Sequence, residues 1–130
     1  MGVRFPSVQS NVLVNPNVGI NTETVVCTTP PLTLPLDGAV VLLFWYMLHF
    51  IGTTAVTTRY LLRRGTTIAG TLINVSSNLQ GTAGNLVLGS GCYFDTPGAV
   101  AGQQYSLSCI DPASTVAGNI SDAALLAFAL

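Results

Sequence analysis

Short apolar and alternating segments run along the chain from Glu23 to Leu130, separated by Gly, Pro, Asn and Asp at intervals of roughly 8–12 residues, the rhythm of strands in a sandwich or barrel. The β-branched run ETVVCTT (23–29) opens the series. In PPLTLPLDG (30–38) the prolines exclude a central strand, and Asp37-Gly38 predicts a turn. TAVTTRYLLRRG (54–65) and TTIAGTLINVSS (66–77) predict two strands joined near Arg64-Gly65, with threonines on the polar side. GNLVLGS (84–90), GCYFDT (91–96) and GQQYSLSCI (102–110) follow as strands, with turn signals at Gly81, Gly84, Gly89, Gly91, Pro97-Gly98, Pro112 and Gly118. The last segment, SDAALLAFAL (121–130), has an N-cap-like Ser121 and good helix formers, yet it is short and lacks an end cap. A terminal core strand is expected there.

One stretch breaks the alternation. AVVLLFWYMLHFIG (39–52) is uninterruptedly apolar from Ala39 to Leu48. A membrane helix needs about 20 such residues, and here Trp45 and Tyr46 sit in mid-run instead of at two interfaces. No membrane span is expected. The β-rich surroundings predict a strand whose successive side chains point to opposite faces. Val40, Leu42, Phe44, Tyr46, Leu48 and Phe50 form one face; Val41, Leu43, Trp45, Met47, His49 and Ile51 form the other. An antiparallel strand in a solitary sandwich keeps one polar face, and this one has none. The second face therefore needs cover. We expect the first set in the domain's own core and Leu43, Trp45, Met47, His49 and Ile51 at a subunit interface, where Trp and Met are enriched. His49 is expected as a hydrogen-bonded packing residue.

Residues 1–21 show no helical period and mix Pro6 and Pro16 with several asparagines, while VLV (12–14) is unusually apolar for a solvated tail. An extended docking arm is expected, with Val3, Arg4, Phe5, Val12, Leu13 and Val14 as its contacts, and residues 22–130 as one domain. The opening residues carry no apolar signal core, so synthesis in the cytoplasm is expected.

Charge sharpens the expectation of assembly. Charged residues make up 7% of the chain and the net charge is −1, against about 25% charged in ordinary soluble domains. Nothing here attracts nucleic acid or an anionic membrane. A chain so near neutrality is prone to self-association, which permanent assembly resolves. Cys27, Cys92 and Cys109 form no C-x-x-C pair and are expected as small buried hydrophobes.

Catalytic chemistry is not legible. With one histidine and no lysine the usual general bases are nearly excluded. Asp95 and Asp111 could be imagined as a carboxylate pair or calcium ligands, but both stand near prolines in turn contexts, which favours turn-forming roles. Arg63 and Arg64 could meet a partner's carboxylates. No catalytic residue, cofactor or metal is expected.

The order of elements, an arm, a proline-broken first strand, a long apolar strand, a Thr/Arg hairpin and a terminal apolar strand, resembles the tumour necrosis factor-like jelly roll shared by complement globular heads and bacteriophage virion proteins. DTPGAVAGQQYSLSCID, with Asp95, Pro97, Gly102, Tyr105 and Leu107, is similar to a loop-then-strand of phage modules, and ISDAALLAFAL to their final strand. The resemblance implies an all-β fold, a single jelly-roll β-sandwich with an extended N-terminal arm. It implies a homotrimer bound to the major capsid protein as a decoration or cement protein of the virion. A glycan-binding tip of a phage fibre is the alternative.

Overall fold

The computed structural model describes residues 8–11, 22–34, 39–50, 56–76, 79–82, 84–98, 100–110 and 119–130. These form strands β1 (Val8–Asn11), β2 (Thr24–Thr28), β3 (Leu32–Leu34), β4 (Val41–Phe50), β5 (Val56–Arg64), β6 (Leu72–Val75), β7 (Leu79–Gly81), β8 (Leu86–Asp95), β9 (Val100–Gln103), β10 (Tyr105–Ile110) and β11 (Asn119–Ala129). No helix occurs among the described residues.

Two antiparallel sheets face each other, in the orders β1-β11-β4-β8 and β2-β10-β5-β6, with β7 pairing the start of β5 and β3 pairing β9. The chain crosses repeatedly between the sheets and its last strand lies between the first and the fourth, the arrangement of a jelly roll. The expected fold class is therefore the observed one. β11 is a strand running beside β4 over its whole length, as expected of the terminal segment. Arg64-Gly65 ends β5, and Gly65 takes φ +97°, a conformation open to glycine.

The core lies between the sheets. Leu43, Trp45 and Met47 from β4, Leu125 and Ala127 from β11, Tyr60 and Leu62 from β5, and Leu107 and Cys109 from β10 are all buried. Trp45 and Tyr60 meet edge to face across the gap, 5.3 Å between ring centroids.

Three expectations are corrected. Gly89 and Gly91 are not turns but lie inside β8, one ten-residue strand where two were expected. Tyr60 and Trp45 from the core lean on these positions, where a side chain would intrude. Gly81 likewise belongs to β7. GQQYSLSCI divides into β9 and β10. The arm contains β1, which pairs with β11 and so belongs to the domain's own sheet. Val3, Arg4, Phe5, Val12, Leu13 and Val14 lie outside the described residues, as do the expected turns at Asp37-Gly38, Pro112 and Gly118.

Candidate functional site

The face of β4 that the sequence assigned to the core is the one left open. Register sets Leu42 between Phe94 and Phe128, Phe44 between Cys92 and Leu126, Tyr46 between Ser90 and Ala124, and Leu48 between Leu88 and Asp122. These rows form the outer face of the β1-β11-β4-β8 sheet. Phe44 is 43% exposed, Phe94 60% and Leu88 62%. Phe44 and Phe128 stack edge to face at 6.0 Å. Polar groups are few: Ser90, and the Tyr46 hydroxyl, which donates to Asp122 Oδ2 at 2.8 Å. That bond is the main reason the Tyr46 phenol titrates above its ordinary range. A shallow groove of about 340 Å³, lined by Phe44, Trp45, Tyr46, Ser90, Gly91, Cys92 and Leu126, runs along the centre of this face.

Leu43, Trp45, Met47 and His49, expected at a subunit interface, are instead buried in the single chain. Alternation separates the two sets but does not say which set faces inward. Odd-numbered residues of β4 stand beside Gly89 and Gly91 on β8 and Ala123, Leu125 and Ala127 on β11, and this face is the one the second sheet covers. Ile51 lies outside the described residues.

The second sheet's outer face is of a different kind. Arg63 donates from Nε and Nη2 to the two Glu23 oxygens, each at 2.7 Å, and from Nη1 to the Gly70 carbonyl at 2.9 Å. Ser108 also donates to Glu23. The Arg63 bonds hold the Glu23 carboxyl below its usual range, against the opposing effect of burial. Exposed apolar side chains on this side, Ile68, Leu72 and Val75, belong to the β5–β6 hairpin.

Arg64 points the other way, between the sheets. Its Nε and Nη2 donate to Asp95 at 2.9 and 2.6 Å, and Tyr105 donates its hydroxyl to Asp95 Oδ2 at 2.9 Å. Burial alone would raise the Asp95 pKa, but these charge-assisted bonds outweigh it and lower it. Asp95 is thus a buried anchor instead of a turn former, and both arginines find carboxylates within the chain. Asp111 lies outside the described residues. His49 is a packing residue, its Nδ1 3.2 Å from Thr58 Oγ1. Cys27 and Cys109 are buried as expected, whereas Cys92 is exposed in the groove; all three are free.

A second concavity, about 390 Å³, opens between the edge strands β6 and β8. Trp45, Tyr60, Leu62 and Leu107 form its floor, and Asn74, Ser76 and residues 88–91 its sides. The Tyr60 hydroxyl is buried without a hydrogen-bond partner among the described residues. Among those residues there is also no cluster of three or more His, Cys, Asp or Glu able to hold a metal ion, and no helix long and apolar enough to cross a membrane.

The chain matches no protein-family model and none of the curated proteins by sequence. Among solved structures it is similar to murine APRIL, with 13% identity, a TM-score of 0.46, and coverage of 94% of this chain and 98% of that one. It is similar also to a family 16 carbohydrate-binding module, with 11% identity, a TM-score of 0.30, and coverage of 85% and 70%.

Proposed function

We propose that this chain is a self-assembling structural protein of a bacteriophage virion, a capsid decoration or cement protein that acts as a homotrimer. The observation that carries the assembly is the open apolar face of the β1-β11-β4-β8 sheet beside a polar, ion-paired outer face on the other sheet. One side suits a neighbour and the other suits water. Each Å² of apolar surface removed from water contributes about 25 cal/mol, before the cost of ordering.

The occupant of the apolar face is a second copy of the chain. Asp122 is the one charged side chain in the rows described, and Tyr46 already engages it; two such faces therefore meet without strong charge repulsion. The threefold symmetry and the virion setting come from the resemblance of the sequence to phage jelly-roll modules. On this reading residues 1–21 reach the major capsid protein, and the protein acts at the capsid surface after synthesis in the host cytoplasm. The role is structural and not catalytic.

Native mass spectrometry tests the assembly directly. The wild-type protein is expected as a trimer, and Phe44→Asp or Leu88→Asp as a monomer that keeps its β circular dichroism. A monomeric wild type would overturn the assembly. Deleting residues 1–7, which spares β1, is then expected to weaken binding to undecorated capsids sharply while the trimer persists, and full binding by the truncated protein would remove the docking role of Val3, Arg4 and Phe5.

A further inference from the structure

We infer that the cleft between the edges of β6 and β8 binds an uncharged, hydroxyl-bearing ring, a neutral mono- or disaccharide. At about 390 Å³ it falls within the range of small-ligand pockets, ~300–1,000 Å³. Among the described residues no charged side chain lines it, so a charged ligand would lose water without gaining a counter-ion. The floor is apolar and aromatic, from Trp45, Tyr60, Leu62 and Leu107.

The sides supply mixed donors and acceptors: the Asn74 amide, the Ser76 hydroxyl and the backbone of residues 88–91 on an edge strand. A hydroxyl both donates and accepts, and is the ligand group that such a mixed, neutral set satisfies. The second observation is the Tyr60 hydroxyl. Tyr60 is 1% exposed and lines the cleft, and its oxygen has no partner among the described residues. A buried hydroxyl left unpaired is costly; it is closed to a water-sized group as it stands, and a small turn of the Tyr60 ring towards the cleft would let a ligand hydroxyl pair with it.

Glycine keeps the cleft open. A Cβ at Gly91 would stand 3.0 Å from Trp45 Nε1 and close the gap over the indole edge. The cleft lies between the sheets at one edge and shares Trp45, Ser90 and Gly91 with the groove on the association face.

Trp45 is the only tryptophan of the chain and lines both this cleft and the groove on the open face, so the Phe44→Asp variant is titrated beside the wild type to separate the two. The test is a titration of the native protein with glucose, galactose, N-acetylglucosamine and maltose, with glucuronic acid as the charged control. A saturable change with a millimolar dissociation constant is expected for at least one neutral sugar and none for glucuronic acid. Tyr60→Phe is expected to weaken that binding about five- to tenfold through the lost hydrogen bond, and Gly91→Val to abolish it. Asn74→Ala, at the half-buried side, is expected to weaken binding similarly and leaves the core intact should Gly91→Val fail to fold. No saturable response to any of the four sugars overturns the inference. A response unchanged in both Tyr60→Phe and Asn74→Ala also overturns it, because the sugar would then bind elsewhere.

Discussion

The ring of Tyr60 rests directly on the backbone of Gly89, so closely that a Cβ at position 89 would stand 1.7 Å from Tyr60 Cε2. One sheet therefore docks on the other through a glycine in the middle of a strand. Tyr60 is buried and faces Trp45 edge to face, so it can yield little except towards the cleft that it lines. Overpacking a tight core costs about 1–3 kcal/mol or more. Gly89→Ala is expected to cost ~3 kcal/mol in urea denaturation, and Ser90→Ala, at the exposed neighbouring position, to stay within about 0.5 kcal/mol of wild type.

Leu43 and Phe44 are consecutive on β4 and have opposite fates. Leu43 is fully buried, so Leu43→Ala is expected to cost about 2–5 kcal/mol of folding stability. Phe44→Ala removes a partly exposed ring and is expected to change the stability of the single chain little while weakening the trimer. Paired measurements of melting and sedimentation check the contrast; equal losses of folding stability would place both residues in one core.

Asp95 accepts from Arg64 and Tyr105 at once. Asp95→Asn keeps the shape but loses the charge, and its amide donors oppose theirs. Arg64 is about one-third exposed and can turn to water, so the expected loss is about 2 kcal/mol, below that of breaking a fully buried pair. Chemical denaturation of Asp95→Asn, of Arg64→Met and of the double variant measures the coupling, which is expected to be clearly non-additive.

Acid should unfold the protein through two carboxyls. Glu23, held chiefly by the Arg63 bond, and Asp95, where the Arg64 and Tyr105 bonds outweigh burial, both titrate below their ordinary range. A carboxyl with a depressed folded pKa contributes stability that is complete above its unfolded pKa, about 4, and disappears as pH falls through the folded value. The expected profile is flat towards neutrality and declines below about pH 4. Glu23→Gln with Asp95→Asn should flatten that decline; an acid limb as steep as wild type would assign it to other groups.

Cysteine reactivity maps the association face. Burial pushes the Cys27 and Cys109 thiols up to about 12, so they should stay unreactive while the chain is folded. Cys92 lines the groove on the open face. It is expected to react with a maleimide in the Phe44→Asp monomer and to be protected in the wild-type trimer, as read by mass after brief labelling. Equal labelling of Cys92 in both forms would move the interface elsewhere.

Much of the strand pattern was legible because it is local. The alternation of β5, the hairpin at Arg64-Gly65 and the terminal strand β11 follow from side-chain period and turn chemistry. Glycine was the ambiguous signal: Gly65 does end a strand, but Gly89 and Gly91 sit inside one, and the difference lies in Tyr60 and Trp45, distant in sequence. The carboxylate partners of Arg63 and Arg64 were hidden for the same reason, since Glu23 and Asp95 lie 40 and 31 residues away.

By itself the sequence determined that this is an all-β chain with little charge, and that β4 has two apolar faces with no polar one. Only the tertiary structure decided which face is inside. Period two distributes side chains to opposite sides, but the direction of burial depends on what the facing sheet and the neighbouring strands can accommodate. Here Tyr60, Leu62 and Leu107 cover Trp45 and its odd-numbered companions, and Phe44, Leu48 and their row are left on the open face.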